Sequence, residues 1–222
     1  SLDQPRLSFL WDHIVLGRSI VPGAAYFEKA SSASWSLCTS ESPHAIVGIS
    51  VPAPLLLGSM SDIATSMHTV CSLSTGEIRV ESHSGVGVQT HMRGSSRHHV
   101  EGVSGISIAT EGHRDRSPVS VSHAYSSMSS AGLQYADAFQ GLHRVRVGAW
   151  CGCVLSASGE ACMDMEPGER GWMLHPALVD GGMQLGATAG GALTSPEEKS
   201  ETRVPAGMEA YQGCGLNGGG AL

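Results

Sequence analysis

Apolar and polar positions change period several times along the chain, and each change marks an element. From Gly23 to about Leu37, the run G-A-A-Y-F-E-K-A-S-S-A-S-W-S-L places Ala24, Phe27, Ala30 and Ser31 at helical spacing, behind a proline and with no proline inside. This predicts a helix. Four short runs follow: A-I-V-G-I-S-V-P-A-P-L-L-L, H-T-V-C-S-L-S, E-I-R-V-E-S and V-G-V-Q-T-H-M. Their β-branched residues, alternation and intervening turn residues predict strands. One early helix followed by strands with hairpin-length gaps predicts a helix lying on an antiparallel sheet, not alternating βαβ units.

The polar stretch S-I-A-T-E-G-H-R-D-R-S-P, Ser107 to Pro118, reads as a linker, after which the order of elements partly repeats. V-S-H-A-Y-S-S-M-S-S-A-G predicts a short helix, and H-R-V-R-V-G-A-W and C-G-C-V-L-S-A-S-G predict strands. H-P-A-L-V-D-G-G-M-Q-L-G-A-T-A-G predicts a second helix entered through a proline, and R-V-P-A-G-M-E-A-Y a further strand. The expected class is α+β, in two sheet-plus-helix units over residues 1–112 and 113–222. The sheets are expected to be incomplete at both ends of the chain, the second one unfinished.

Charge narrows the function classes. Thirteen Lys plus Arg stand against 20 Asp plus Glu, a net of -7, so a broad phosphate-neutralising surface and nucleic-acid binding are not expected. No apolar run approaches the roughly 20 residues that span a bilayer, and V-P-A-P-L-L-L-G is short and proline-broken. The first residues lack the basic, apolar and small-residue segments of a signal peptide, so a cytoplasmic location is expected. Six cysteines, at 38, 71, 151, 153, 162 and 214, are scattered as reduced thiols would be. Cys151-Gly-Cys153 has no second pair at zinc-like spacing and reads as strand alternation, so no metal is expected. His98-His99 lies in the polar run R-G-S-S-R-H-H and reads as solvated loop, and the glycines at 85, 87, 94, 102 and 105 form no phosphate-binding fingerprint.

Three stretches carry candidate chemistry. His13 to Pro22 fits H-x-x-x-G-x-x-x-x-P with Gly17 at its centre; Y-A-D-A-F-Q-G-L starts at Tyr135; L-H-P-A-L-V-D-G-G-M-Q ends at Gln184. Pro22 presets a helix start, and Gly23-Ala24-Ala25 keep its first turn small, so that unpaired N–H groups there could approach a carbonyl. Gly17 permits a tight turn, and its N–H is a second candidate donor. Asp180 and Gln184, four apart on a helix, share a face, so the amide can hydrogen-bond the carboxyl and fix its rotamer. Asp180 taken alone could also be a helix N-cap. His175 and Pro176 shape the helix entry, and Glu28 is expected at a partly exposed side of its helix or paired with a neighbour.

Together, in this order and at these distances, the three motifs resemble the dehydratase domains of type I polyketide synthases and animal-type fatty acid synthases, from about Leu7 to Tyr211. The resemblance implies a double hotdog, two long helices each wrapped by an antiparallel sheet. It implies elimination of water from a β-hydroxyacyl thioester held on the phosphopantetheine of an acyl carrier protein, giving an α,β-enoyl product, with no cofactor or metal. His13 would be the proton acceptor and Asp180 the proton donor. An unperturbed imidazole is available as a base near neutral pH, whereas an aspartic acid must be kept protonated by burial. Gln184 would position Asp180, and Tyr135 would line the site near the leaving hydroxyl. The family's Gly-Pro after that tyrosine is Ala136-Asp137 here.

The implied partners are the carrier protein and neighbouring synthase domains, and a homodimer is compatible with the resemblance; neither nucleic acid nor membrane is implied. Arg144 and Arg146 read as a solvated stripe on one strand face, with contact to an acidic carrier protein as the alternative. Readings from other classes are a non-catalytic double-hotdog scaffold and a product-template-type cyclase. The H-P-A-L-V-D-x-x-x-Q form argues against the cyclase.

Overall fold

The computed structural model describes residues 2, 4–37, 44–58, 65–85, 87–98, 117–150, 154–162, 172, 174–191, 202 and 204–212. Helix α1, Gly23–Leu37, starts behind Pro22 as its sequence predicts, and buries Ala24, Ala25, Tyr26, Phe27, Ala30 and Ser31. It lies on a five-stranded antiparallel sheet of order β11-β3-β6-β5-β4. The strands are β3 His44–Ser50, β4 Ser66–Cys71, β5 Glu77–Ser84, β6 Gly87–His98 and β11 Gly207–Tyr211. In β5 the alternation E-I-R-V sends Ile78 and Val80 inward, where they join Tyr26, Phe27, Ile46 and Met92 in one core. Removing a side chain the size of Phe27 from water contributes about 2–3 kcal/mol.

Two expectations are corrected here. Of the His98-His99 pair read as solvated loop, His98 is the last residue of β6 and His99 lies outside the described residues; the polar run before it, Arg93 to Arg97, is the second half of that strand, paired with β3 and, through Ser95, with β5. The ladder overrides low strand propensity because Gly94 admits close packing: a Cβ there would sit 2.9 Å from Ile46 Cγ2. Ser96, inside the sheet, finds the Ser34 hydroxyl of α1 as its partner. The strand after the second helix does not begin a new sheet; Gly207–Tyr211 pairs with β3, from Gly207 opposite Ser50 to Tyr211 opposite Ile46, and closes that edge of the first.

The second half of the chain carries α2, Val121–Ser130, and α3, Pro176–Gly191. Helix α3 packs on an antiparallel sheet of order β10-β9-β7, made of Val154–Ala161, Leu142–Trp150 and Ser117–Pro118. Ala124, Met128, Leu133, Leu142 and Val145 form its core. Arg144 and Arg146 are both exposed, as a solvated stripe would be; a bulge in β9 gives Arg144 φ 49°, and its guanidinium reaches Glu160 at 2.9 Å. Most of the expected linker, the boundary at 112/113 and Cys151-Gly-Cys153 lie outside the described residues.

A third sheet, β2-β1-β8, joins the two halves: β1 is His13–Val15, β2 Arg18–Ser19 and β8 Leu133–Tyr135. Leu16 and Gly17 connect β1 to β2 with φ 50° and 74°, the two left-handed residues of a tight hairpin turn. Glycine accepts this conformation without a Cβ penalty, so Gly17→Ala is expected to lower stability by about 1 kcal/mol in urea unfolding. An unchanged midpoint would contradict this role for the turn.

Candidate active site

The strand pairing of β1 with β8 places His13 opposite Tyr135. Both His13, 7% exposed, and Asp180, 3% exposed, are buried. His13 Nδ1 lies 3.2 Å from the carbonyl of Ile20. A carbonyl only accepts, so Nδ1 carries the ring proton and Nε2 presents a lone pair. That lone pair faces Asp180 Oδ1 at 3.8 Å, too far for a hydrogen bond and close enough for electrostatic coupling. The structure therefore brings together His13 of the first motif and Asp180 of the third.

Asp180 sits one turn inside α3, so it is not the N-cap its sequence position allowed. That place is taken by His175, whose Nδ1 accepts the Ala177 N–H at 3.2 Å, with Pro176 as the first helical residue. Gln184 Nε2 donates to Asp180 Oδ2 at 2.9 Å, the bond expected from their spacing. Burial pushes the Asp180 carboxyl above its ordinary range, opposed by the nearby His13 and by the Gln184 bond. The apolar wall is aromatic: Phe139 and Tyr135 ring centroids lie 5.3 and 5.5 Å from that of His13. Burial also raises the Tyr135 phenol far above its usual value, so it stays protonated.

The altered turn after Tyr135 is held from the other side of the site. Asp12 accepts the Ala136 N–H on its own carbonyl at 2.9 Å and the Ala138 N–H on Oδ2 at 3.1 Å. Gln140 Nε2 donates to the Tyr135 carbonyl at 2.6 Å. The residue beside His13 thus fixes the short 3-10 turn Asp137–Phe139, whose helix start has no cap of its own. Asp12 and Tyr125 were not singled out by sequence. Tyr125 is nevertheless the one Phe, Tyr or Trp of α2, standing between Ala124 and Ser126 in a serine-rich helix, which is the signal that could have marked it.

Other candidates are placed differently. The Gly17 N–H donates to Gln134 Oε1 at 3.0 Å on an exposed turn, so it is engaged away from the site. At the start of α1 the Ala25 N–H bonds the Pro22 carbonyl at 3.0 Å, which leaves Gly23 and Ala24 as the small first-turn residues with donors to offer. Glu28 is fully buried, not at a partly exposed side, and its Oε1 accepts from Leu174 N and the Ser32 hydroxyl, both at 3.1 Å. It ties α1 to the segment leading into α3. Among the described residues, no three His, Cys, Asp or Glu side chains converge as metal ligands, and no helix is long and apolar enough to cross a membrane.

With the geometry in place, the comparisons identify the class. Sequence profiles described as the polyketide synthase dehydratase domain and the polyketide synthase dehydratase N-terminal domain match residues 1–85 and 107–215. Among solved structures, the dehydratase domain from the CurF module of the Curacin polyketide synthase is 21% identical with a TM-score of 0.72, over 92% of this chain and 73% of that one. The dehydratase domain of RzxB from Pseudomonas fluorescens is 19% identical with a TM-score of 0.70, over 94% and 75%. An aspartate-to-asparagine inactive mutant of the CurK dehydratase is 20% identical with a TM-score of 0.76, over 97% and 75%, and a histidine-to-phenylalanine inactive mutant of the same dehydratase also matches. No curated protein matches the chain. The fold is a double hotdog. The chain belongs to the polyketide synthase dehydratase family.

Two stability predictions follow from the buried groups. Burial lowers His175 from 6.5 to about 4, so the folded state resists a proton that the unfolded chain accepts. Its contribution to stability is intact above pH 6.5 and lost as pH falls toward about 4. His175→Asn keeps a capping side chain without a titrating group, and thermal melts across that window should fall less steeply than in the parent. Asp12→Ala should cost about 1 kcal/mol in denaturant unfolding, while Asp12→Asn, whose amide oxygen still accepts from Ala138, should stay near the parent. Equal losses in the two variants would contradict the capping role.

Proposed function

We propose that this domain dehydrates a β-hydroxyacyl thioester presented on the phosphopantetheine of an acyl carrier protein, releasing the α,β-enoyl thioester. His13 Nε2 takes the Cα proton; the Cα–H pair forms the double bond; the Cβ–O bond breaks as Asp180 Oδ1 gives its proton to the departing hydroxyl, which leaves as water. The observation that carries this reading is the buried pair itself, a basic nitrogen lone pair facing an oxygen of a carboxyl that burial favours in its neutral form. Two groups with opposite proton affinities in one dry site can divide acid and base work. The histidine and aspartate substitutions named in the inactive CurK dehydratases involve the same two residue types, which supports the assignment.

Negative charge develops on the thioester oxygen as the α-proton leaves, and the N–H groups of Gly23 and Ala24 at the start of α1 are the proposed donors to it. Pro22 sets the direction of that turn. Tyr135, protonated and beside His13, is proposed to contact the leaving hydroxyl. Gly17 acts only by shaping the hairpin, and Gln184 by holding Asp180. The domain works within a multifunctional cytoplasmic synthase, between neighbouring catalytic domains and the carrier, with two hotdog subdomains dividing at 112/113, apart from Gly207–Tyr211, which pairs into the first sheet, and with no metal or redox cofactor.

The test is turnover of a β-hydroxyacyl pantetheine thioester followed by enoyl absorbance. His13→Ala and Asp180→Asn are each expected to reduce kcat by about 10³-fold, within the range for a lost general acid or base. Unchanged turnover in either would refute the assignment, and no turnover in the parent would favour the scaffold reading. Stability supplies a second sign. The raised Asp180 carboxyl costs the folded state stability as pH climbs from 3.8 through the raised value, because the unfolded chain releases the proton first. Asp180→Asn should therefore melt above the parent in mildly alkaline buffer, by about 2–4 °C if the gain is ~1 kcal/mol.

A further inference from the structure

We propose that Tyr125, acting through the side-chain amide of Gln184, places the proton of Asp180 on Oδ1, the oxygen that faces His13. The inference rests on the dehydratase reading for its catalytic meaning, and on hydrogen-bond geometry for its content. Gln184 is almost fully buried, and its amide is committed on every side. Nε2 donates one hydrogen to Asp180 Oδ2 at 2.9 Å and the other to the Phe139 carbonyl at 3.0 Å. Oε1 accepts from the Tyr125 hydroxyl at 3.2 Å.

The hydroxyl is oriented in turn. It accepts the Leu142 N–H at 3.0 Å, so its own hydrogen points toward Gln184 Oε1 and the Phe139 carbonyl, each 3.2 Å away. Rotating the amide by half a turn would set Oε1 against the Phe139 carbonyl, two acceptors with no hydrogen between them, and would deprive the Tyr125 hydroxyl of its side-chain acceptor. The amide therefore has one orientation. In that orientation Asp180 Oδ2 must be an acceptor.

A carboxylic acid has one O–H. The carbonyl-type oxygen is the better acceptor of the two, so the Gln184 bond to Oδ2 favours the proton on Oδ1, 3.8 Å from His13 Nε2. With the amide reversed, Oδ2–H would donate to Gln184 Oε1, and the acid would hold its proton on the side remote from the base. Tyr125 and Gln184 are thus positioning residues for the acid. The titratable groups coupled to Asp180 among the described residues are His13 of β1, Tyr125 of α2 and Tyr135 of β8.

A double-mutant cycle in the full chain tests this. Tyr125→Phe should lower kcat about tenfold, a change of ~1.4 kcal/mol in the barrier, with KM unchanged. Weakening the bond that stabilises the carboxylate should also move the alkaline limb of the kcat profile to higher pH. Gln184→Leu should lower kcat further, and adding Tyr125→Phe to it should change nothing more. Losses that multiply independently, or an alkaline limb that stays in place in Tyr125→Phe, would overturn the proposal.

A readout without turnover separates this inference from the function it rests on. The side-chain amide protons of Gln184 should shift in NMR spectra as Asp180 ionises, lose that titration in Asp180→Asn, and move upfield in Tyr125→Phe. A Gln184 signal indifferent to both substitutions would refute the positioning role. The full amide response in a chain that never turns over substrate would refute only the dehydratase reading.

Discussion

Antiparallel pairing of β1 with β8 is the contact on which the site depends. It joins residues more than a hundred positions apart and sets His13 directly across from Tyr135. Side chains alternate along a strand, so a slip of one residue would turn His13 out of the aromatic pocket. The register is held by more than the ladder itself. Asp12 grips the turn that follows β8 through both its carbonyl and its carboxylate, and the Ile20 carbonyl holds the imidazole ring. The hairpin turn at Leu16 and Gly17 keeps β2 on the opposite edge of β1.

Burial does the chemical work of the pocket. An ionised carboxylate without water is costly, and Asp180 meets that cost by favouring its neutral form. The polar groups around it remain satisfied, through a chain that runs from the Leu142 N–H to the Tyr125 hydroxyl, the Gln184 amide and the carboxyl. Such a network is rigid only when each member has a partner, and removal of one leaves a buried orphan. His175 and Glu28 serve the same end at the helix entry: one caps α3 and the other holds the backbone just before it. The acid is therefore oriented by contacts with α1, α2 and the 3-10 turn, all made within or just before α3.

Much of this was legible in the sequence where the determinants are local. Pro22 and the small residues after it announce α1, Pro176 announces α3, and the spacing of Asp180 and Gln184 specifies a shared helix face and the bond between them. Choices made at a distance were not legible. Nothing near Gly207–Tyr211 says that it will close the edge of the first sheet by pairing with β3, and the polar Arg93–His98 run becomes strand because two neighbours flank it. Asp12 and Tyr125 escaped notice because their partners lie 126 and 59 residues away. Of the two places expected for Glu28, a partly exposed side or a pairing with a neighbour, the second holds: the Ser32 hydroxyl bonds it from the next turn, and the distant Leu174 N–H, which local sequence does not announce, completes its burial.

The proposed chemistry turns on one physical property, an aspartic acid whose burial favours its neutral form beside a histidine whose Nε2 is placed to accept a proton. Titration of Asp180 by NMR, with carbon-13 at its side-chain carboxyl and Asp180→Asn to assign the signal, measures that property directly. The carboxyl should titrate clearly above the ordinary value of 3.8, raised by its burial. A carboxyl that ionises at or below 3.8 would contradict the account, since no proton would then remain on Asp180 for a departing hydroxyl.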